Sequence, residues 1–539
     1  MRALLVAIIT LVTACATPRL LDKDLPPVPA SLRAAFEQMP SPAMARVRIL
    51  SDNVDAWVAR WHTIAAAQKT VDVQYFIIEP DAFGLSLLGL LYEKQRAGVQ
   101  VRLMVDSRGT FGLTLPYFGL NLLGQLVGAG AQVRVYNPLE TQVTDAIASG
   151  DLRTLAASNH DKLVIADGRI AITGGRNISK DYFVDSRDVP SAYIDMDILI
   201  EGERAARALT EAFSSELTAK RAKTLSKSEN EASNDALLGA MHAMRLWLTQ
   251  PSFTQAELLA MKVEAKRSDV AVTLEGSVVG AMDHIPPDAA RKVIKSIASQ
   301  LAALPHARGA STRVLAPIAE QADEGDELRI LDTHSAGGAT TRNRVNENLM
   351  IAVQGASREV LIQSPYFVLT PRALRTLELA AQRGVQIVIL TNSPVSSDSP
   401  ITQAAFLQQW PEILARVSTA KLYVVSESRL MHAKVGVIDG VLSFVGSYNL
   451  DPLSAGVNGE VLTAIWSERF ATQQRDHIMD RIATGKIREY TIHKDAQGTP
   501  VLRDGKPIVT SGPDDHCDAE VLRKVRKLEF VLEFLAPLI

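Results

Sequence analysis

The chain is poor in cysteine: Cys15 and Cys517 are the only two in 539 residues. No disulfide framework braces it, so stability must come from a hydrophobic core. With 47% apolar residues there is material for two domains. Its charges nearly balance, at −3 overall, so it lacks the bulk basic signature of a protein that follows a nucleic-acid backbone, and no nucleic-acid partner is expected. Nowhere do His, Cys and acidic residues fall at zinc-site spacing. Gly337-Gly338-Ala339 is too far from a Walker pattern to suggest nucleotide binding. No metal and no cofactor are expected. The apolar stretch from Ala3 to Ala14 is too short to span a bilayer comfortably.

Histidine is scarce too, ten in all, yet two of them stand in one pattern. His160, Lys162 and Asp167 read H-x-K-x4-D, and His432, Lys434 and Asp439 repeat it. Chance would give one copy about one time in forty and two copies roughly once in a few thousand. The surroundings repeat as well. Residues 163–168 and 435–440 each read as a buried strand stopped by Asp-Gly. A second strand follows and runs into Gly174-Gly175-Arg176-Asn177 or Gly446-Ser447-Tyr448-Asn449, where small residues admit close backbone approach and an Asn amide can donate. Residues two apart on a strand share a face, so His160 projects with Lys162 and His432 with Lys434. Asp167 and Asp439 lie at odd offsets from their lysines and are expected to serve the turn.

An upstream segment repeats likewise. Residues 70–77, a helical stretch and residues 98–106 form a β-α-β pattern whose counterpart is 359–367, another helix and 384–390. Strands alternating with helices predict an α/β fold with a mixed, largely parallel sheet covered on both faces. Two such units are expected to face each other across one site.

With these segments in place, the chain resembles the phospholipase D superfamily, and within it the bacterial cardiolipin synthase and related phosphatidyltransferase branch. The resemblance runs from about Ser41 to the end and includes Gln74-Tyr75-Phe76, both H-x-K-x4-D motifs, both Gly-x-x-Asn segments and Asn449-Leu450-Asp451-Pro452. Family members often carry Arg after that Asp-Pro pair, where this chain has Leu453. The resemblance implies two phospholipase D-like α/β/α sandwich halves packed as a pseudo-two-fold pair around one shared active site. It also implies that one His attacks phosphorus to form a phosphohistidine while the other protonates the leaving group. We take His160 as nucleophile and His432 as acid, an order the residues themselves leave open.

A phosphodiester repels nucleophiles, so its oxygens must be neutralised. Lys162, Lys434, Asn177 and Asn449 are the groups expected to do this. Each ring also needs an acceptor that fixes its tautomer. By motif position Glu460 matches the family's carboxylate for His432, and Asp195 the one for His160, with Asp197 as the alternative.

Met1-Arg2, the apolar stretch and Val12-Thr13-Ala14-Cys15 look like a bacterial lipoprotein signal, with a plain signal peptide or uncleaved anchor as the alternative. Cys15 would be lipidated. Ala16 behind it points to the inner leaflet of the outer membrane, facing the periplasm. Pro26-Pro27-Val28-Pro29 reads as a stiff spacer.

The expected organisation is a signal peptide at 1–14, a lipidated tether and linker at 15–45, and a first domain at 46–220. An inter-domain helical and loop segment at 221–345 precedes a second domain at 346–539. At the end of the chain, apolar residues at helical spacing from Ala519 to Leu535 suit either a helix packed on the second domain or one lying on anionic lipid. The strip from Thr110 to Gly130 is expected as a core helix, or as the lining of an acyl-chain path.

The expected activity is phosphatidyl transfer on a phospholipid membrane. Cardiolipin would be made from phosphatidylglycerol and a second phospholipid or glycerol species. The rival readings are hydrolysis to phosphatidic acid and a surface lipoprotein that only binds lipid.

Overall fold

The computed structural model describes residues 25, 28–114, 120–149, 157–227, 231–252, 288–310, 325–334 and 344–535. Sixteen strands carry the architecture. In the first repeat they are β1 (Pro42–Leu50), β2 (Thr70–Tyr75), β3 (Gln100–Asp106), β4 (Gln132–Tyr136), β5 (Lys162–Ala166), β6 (Ile170–Gly174), β7 (Asp197–Glu201) and β8 (Ala222–Thr224). In the second they are β9 (Asp326–Thr333), β10 (Glu359–Gln363), β11 (Gln386–Asn392), β12 (Ala420–Val425), β13 (Val435–Ile438), β14 (Leu442–Gly446), β15 (Glu460–Trp466) and β16 (Ile487–Ile492).

Pairing follows the order β8-β4-β3-β2-β5-β6-β7-β1 in the first repeat. The second runs β16-β12-β11-β10-β13-β14-β15-β9. The two orders match strand for strand. They are joined where β1 changes partner: Ala43 lies opposite Leu328 of β9, and Arg46 lies opposite Glu201 of β7. Among the strand pairings of the described residues only β2-β3-β4 and β10-β11-β12 are parallel, so the sheet is less parallel than the sequence suggests. The Asp-Gly turns leave no room for a crossover helix, so β5-β6 and β13-β14 must be antiparallel hairpins.

Three apolar layers result. Trp57, Phe83 and Val164 belong to the outer layer of the first repeat, and Val360, Leu377 and Phe406 to that of the second. Between them one cluster takes Leu163, Ile165 and Phe213 from the first repeat and Val435, Val437 and Phe470 from the second. The central layer is therefore common property.

Two expected boundaries shift. The linker was expected to run to residue 45, but helix Leu32–Glu37 buries Leu32 and Phe36 in the second repeat's outer core. Arg33 reinforces this with two 2.9 Å bonds to Glu327. The described part of 221–345, expected as an inter-domain helical and loop segment, is helical in part and packs on the first repeat. Helix Glu231–Thr249 uses an apolar face, with Leu237, Met241 and Met244 buried, to cover helix Ala82–Arg96 of the first repeat. Gly89 makes this approach feasible, since a Cβ there would lie 2.2 Å from the Leu237 carbonyl oxygen. Residues 326–333 of the same stretch are strand β9.

Helix Leu122–Gly128 places Leu122, Leu123 and Leu126 in the first core; residues 115–119 of that strip lie outside the described residues. Helix Ala519–Leu535 packs against helix Pro400–Arg416, with Val525 and Leu528 meeting Ala404 and its neighbours. The leader with Cys15 and the Gly337-Gly338-Ala339 stretch also lie outside the described residues.

Candidate active site

The two repeats meet at the strands that carry the histidines. Asn159 forms a parallel bridge with Gly459, and Ile194 forms one with Met431. The His160 amide donates to the Gly459 carbonyl at 3.0 Å, and the Gly459 amide donates to Ser158 at 2.9 Å. On the other side the Ile194 amide donates to Leu430 at 2.9 Å and the His432 amide donates to Ile194 at 2.7 Å. Each histidine is thus stitched by backbone to a segment of the opposite repeat.

That stitching decides the carboxylate partners, and it reverses the expected pairing. Glu460 follows Gly459 and therefore lies beside His160, with Oε2 3.1 Å from Nδ1. Asp195 follows Ile194 and lies beside His432, with Oδ2 2.8 Å from Nδ1. Motif order had assigned Glu460 to His432 and Asp195 to His160. Motif order pairs each carboxylate with the histidine of its own repeat, whereas the cross-repeat bridges put the residue after each bridge next to the other ring. Asp197, the alternative, is committed elsewhere: its carboxylate takes bonds from Arg60 at 2.8 Å and Arg176 at 3.0 Å.

Each carboxylate is itself fixed. Ser447 and Ser454 both donate to Glu460 through Oγ at 2.6 Å. Asp195 accepts from the Met196 amide at 2.7 Å. Gly175 occupies the position that Ser447 has in the other repeat. A Cβ there would lie 2.1 Å from Asp195 Oδ1, so the glycine makes room where the serine makes a bond. Sequence reasoning missed Ser447 and Ser454; the first stands in the 446–449 segment, read for close backbone approach and the Asn amide, and the second lies two residues beyond Asp451-Pro452.

Lys162 and Lys434 are buried, and each donates to the carbonyl of the histidine two residues before it. Lys434 Nζ also lies 2.9 and 3.0 Å from the two ring nitrogens of His432. Asn177 donates to Tyr182 Oη at 3.2 Å, and that hydroxyl is 3.5 Å from His432 Nε2. Asn449 is buried, and its Oδ1 has no hydrogen-bond partner among the described residues. Phe76 meets the His160 ring edge-on at 5.1 Å, and Tyr182 meets His432 at 5.3 Å. Tyr182 and Phe76 join the site without having been singled out as site residues.

Asp167 and Asp439 sit at the turns with φ of 53°. Asp167 accepts from the amides of Lys69 at 2.7 Å and Thr70 at 2.9 Å, and Asp439 from those of Ser357 and Arg358 at 2.8 Å. Both clamp the start of the neighbouring strand.

Electrostatically these groups form one neighbourhood. Burial, followed by repulsion from Lys434, lowers Lys162 to about 7; burial lowers Lys434 to about 8. Burial lowers His160 to about 4, with Glu460 pulling up and Lys162 and Lys434 pushing down. His432 is lowered by burial and then by Lys434. Burial pushes the Glu460 and Asp195 carboxyls up, but the histidine each one faces and nearby lysines outweigh it and hold both below the usual carboxylate range. Two neutral imidazoles, each with an ionised carboxylate on Nδ1, leave Nε2 of His160 open, while Nε2 of His432 lies beside Lys434 Nζ and Tyr182 Oη. Two suppressed lysines would regain charge beside an anion. Among the described residues no group of three or more His, Cys, Asp or Glu is placed to hold a metal ion.

Comparison with known proteins adds lineage to geometry. The family model described as "Cardiolipin synthase, PLD-like domain" matches residues 61–217 and 349–482. Cardiolipin synthase C of Escherichia coli K12 is 25% identical over 444 residues, covering 78% of this chain and 81% of that protein. A cardiolipin synthase of Geobacillus kaustophilus is 22% identical over 433 residues; 80% of this chain is covered, and the chain spans 65% of that relative's length. The crystal structure of phosphatidylserine synthase from Haemophilus influenzae Rd KW20 shares the fold with a TM-score of 0.57 at 12% identity, covering 94% of this chain and 97% of that one.

Proposed function

The chain belongs to the cardiolipin synthase, phospholipase D-like domain family, and from that premise we propose that it makes cardiolipin by phosphatidyl transfer through a phosphohistidine on His160. It is an enzyme of phospholipid phosphatidyl transfer; the route and the particular lipids are our reading. The observation that carries it is the crossed pairing of His160 with Glu460 and of His432 with Asp195.

Glu460 holds the proton on Nδ1 of His160, leaving the Nε2 lone pair to attack phosphorus. The P–N bond forms as the P–O bond to the first alcohol breaks, and His432 passes its proton to the departing oxygen. For that His432 must be charged. The anionic phosphodiester offsets the repulsion from Lys434, and Asp195 stabilises the imidazolium. A second alcohol then gives its proton to His432 while its oxygen displaces His160 from phosphorus. Lys162 and Lys434 balance charge on the phosphoryl oxygens throughout, with Asn177 and Asn449 as amide donors.

Incubation with phosphatidylglycerol vesicles and mass-spectrometric lipid profiling tests the reading. Cardiolipin is expected; phosphatidic acid would make the enzyme a hydrolase, and no product would leave a lipid binder. A phosphorylated His160 trapped in His432→Ala is expected, and a trapped His432 in His160→Ala would reverse the roles.

Among the described residues no helix is long and apolar enough to cross a membrane. We place the enzyme at the periplasmic lipid surface through an acylated Cys15. Intact-mass analysis of the membrane-extracted protein is expected to show the lipid on that residue.

A further inference from the structure

We propose that the second repeat contains an acyl-chain subsite, a cavity that takes one fatty chain of the phosphatidyl donor while its phosphate sits at the lysines. The inference rests on the phosphatidyl-transfer reading and specifies how the donor is held. The cavity has a volume of about 90 Å³ and opens to solvent, so it suits a stretch of one hydrocarbon chain and is too small for a whole phospholipid. Leu349 and Val353 of helix Arg344–Gly355, Leu377 of helix Pro371–Gln382, Ile362 of β10 and Phe444 of β14 line it. At one end stand Lys434 and the two residues that flank Asn449, Tyr448 and Leu450. A cation at the reacting end and apolar walls beyond it suit an amphiphile whose anionic group reacts.

The floor of this cavity is Gly436, and comparison of the repeats shows that its lack of a side chain is not required by the fold. Gly436 stands two residues after Lys434, as Val164 stands two after Lys162. Gly436 pairs with Ile362 and Phe444 where Val164 pairs with Val73 and Ile172, so the positions are equivalent in register. Val164 is fully buried in the first core. Gly436 is half-buried although β13 is an interior strand, because the space above it is open. Its φ is not positive, so the backbone does not demand glycine. A Cβ would meet only the Leu361 oxygen at 3.5 Å and Phe444 Cδ2 at 3.9 Å, ordinary contacts. The first repeat fills this site and the second leaves it vacant on the face that carries Lys434.

The test uses the full chain and Gly436→Val, which copies the first repeat, on dihexanoyl and dioleoyl phosphatidylglycerol in matched mixed micelles. Wild type is expected to favour the long chains. Gly436→Val should lose about 10-fold or more in kcat/KM on dioleoyl substrate, the scale on which pockets sense methylene groups, and stay within about twofold of wild type on dihexanoyl. Equal effects on both lengths, or none, with wild type active would overturn the subsite. No product from wild type at either length would instead defeat the transferase reading.

Should the variant misfold, wild type decides the matter through phosphatidylglycerol bearing a diazirine at the end of one acyl chain. Photolabel on helices Arg344–Gly355 or Pro371–Gln382 supports the proposal, and label confined to other segments refutes it.

Discussion

Nδ1 of His160 faces Glu460 and Nδ1 of His432 faces Asp195, so a neutral amide at either carboxylate should injure one ring and spare the other. Glu460→Gln and Asp195→Asn are each expected to lower kcat by about 10²–10⁴-fold, the range of a misoriented acid or base. In nitrogen-15 histidine spectra, Glu460→Gln should move the resonances of His160 and Asp195→Asn those of His432. The opposite assignment would restore the motif-order pairing.

The lysines make a second prediction. Lys162 and Lys434 titrate at about 7 and about 8 in the fold against 10.5 ordinarily. Between those limits the unfolded chain binds protons that the fold does not, so stability rises with pH there. Below pH 6 the buried carboxyls of Asp81, Asp106, Asp332 and Asp451, each raised to about 6, act in the other direction. The clean window is therefore about pH 7 to about pH 9. Urea midpoints are expected to climb across it, and inorganic phosphate, by restoring the lysines' charge, should flatten the climb.

At the scale of elements, the hairpins were legible because their information is local. Alternation sets the shared face of His160 and Lys162, and Asp-Gly stops the strand. The turn aspartates extend that logic by one strand. Asp439 takes three backbone amides at the head of β10, from Ser357, Arg358 and Glu359. Asp439→Ala should cost about 1–3 kcal/mol in urea unfolding and leave KM and kcat close to wild type. A large kcat defect in a stable variant would move this aspartate into the chemistry. The carboxylate partners were illegible for the converse reason. They depend on Asn159 bridging Gly459 and Ile194 bridging Met431, contacts between segments hundreds of positions apart that no spacing encodes. The cavity was hidden too, since the glycine that lines it, Gly436, stands out only against Val164 at the equivalent register of the other repeat.

For the molecule as a whole, the repeat itself could be read from the motifs, whereas its fastening could not. Strand β1 pairs with β7 in one half and with β9 in the other. The six-residue helix Leu32–Glu37, too short to announce itself by periodicity, closes the far core. Phe36 is fully buried, 5.3 Å from the Trp466 ring and beneath the guanidinium of Arg329 at 4.4 Å. Phe36→Ala should destabilise by about 3–5 kcal/mol, as large-to-small core changes do. Hydrogen exchange should quicken in β10, β14 and β15, although the altered residue precedes the first repeat. Unchanged protection there would make the helix an ornament.

The crossed carboxylates also constrain how such a chain can change. On the proposed mechanism a lesion at Glu460 is felt at His160, and one at Asp195 at His432, so neither copy of the duplicated unit could be retired or specialised without disabling chemistry housed in its sibling. The halves have become hostages to each other, each keeping the other's reagent in working order.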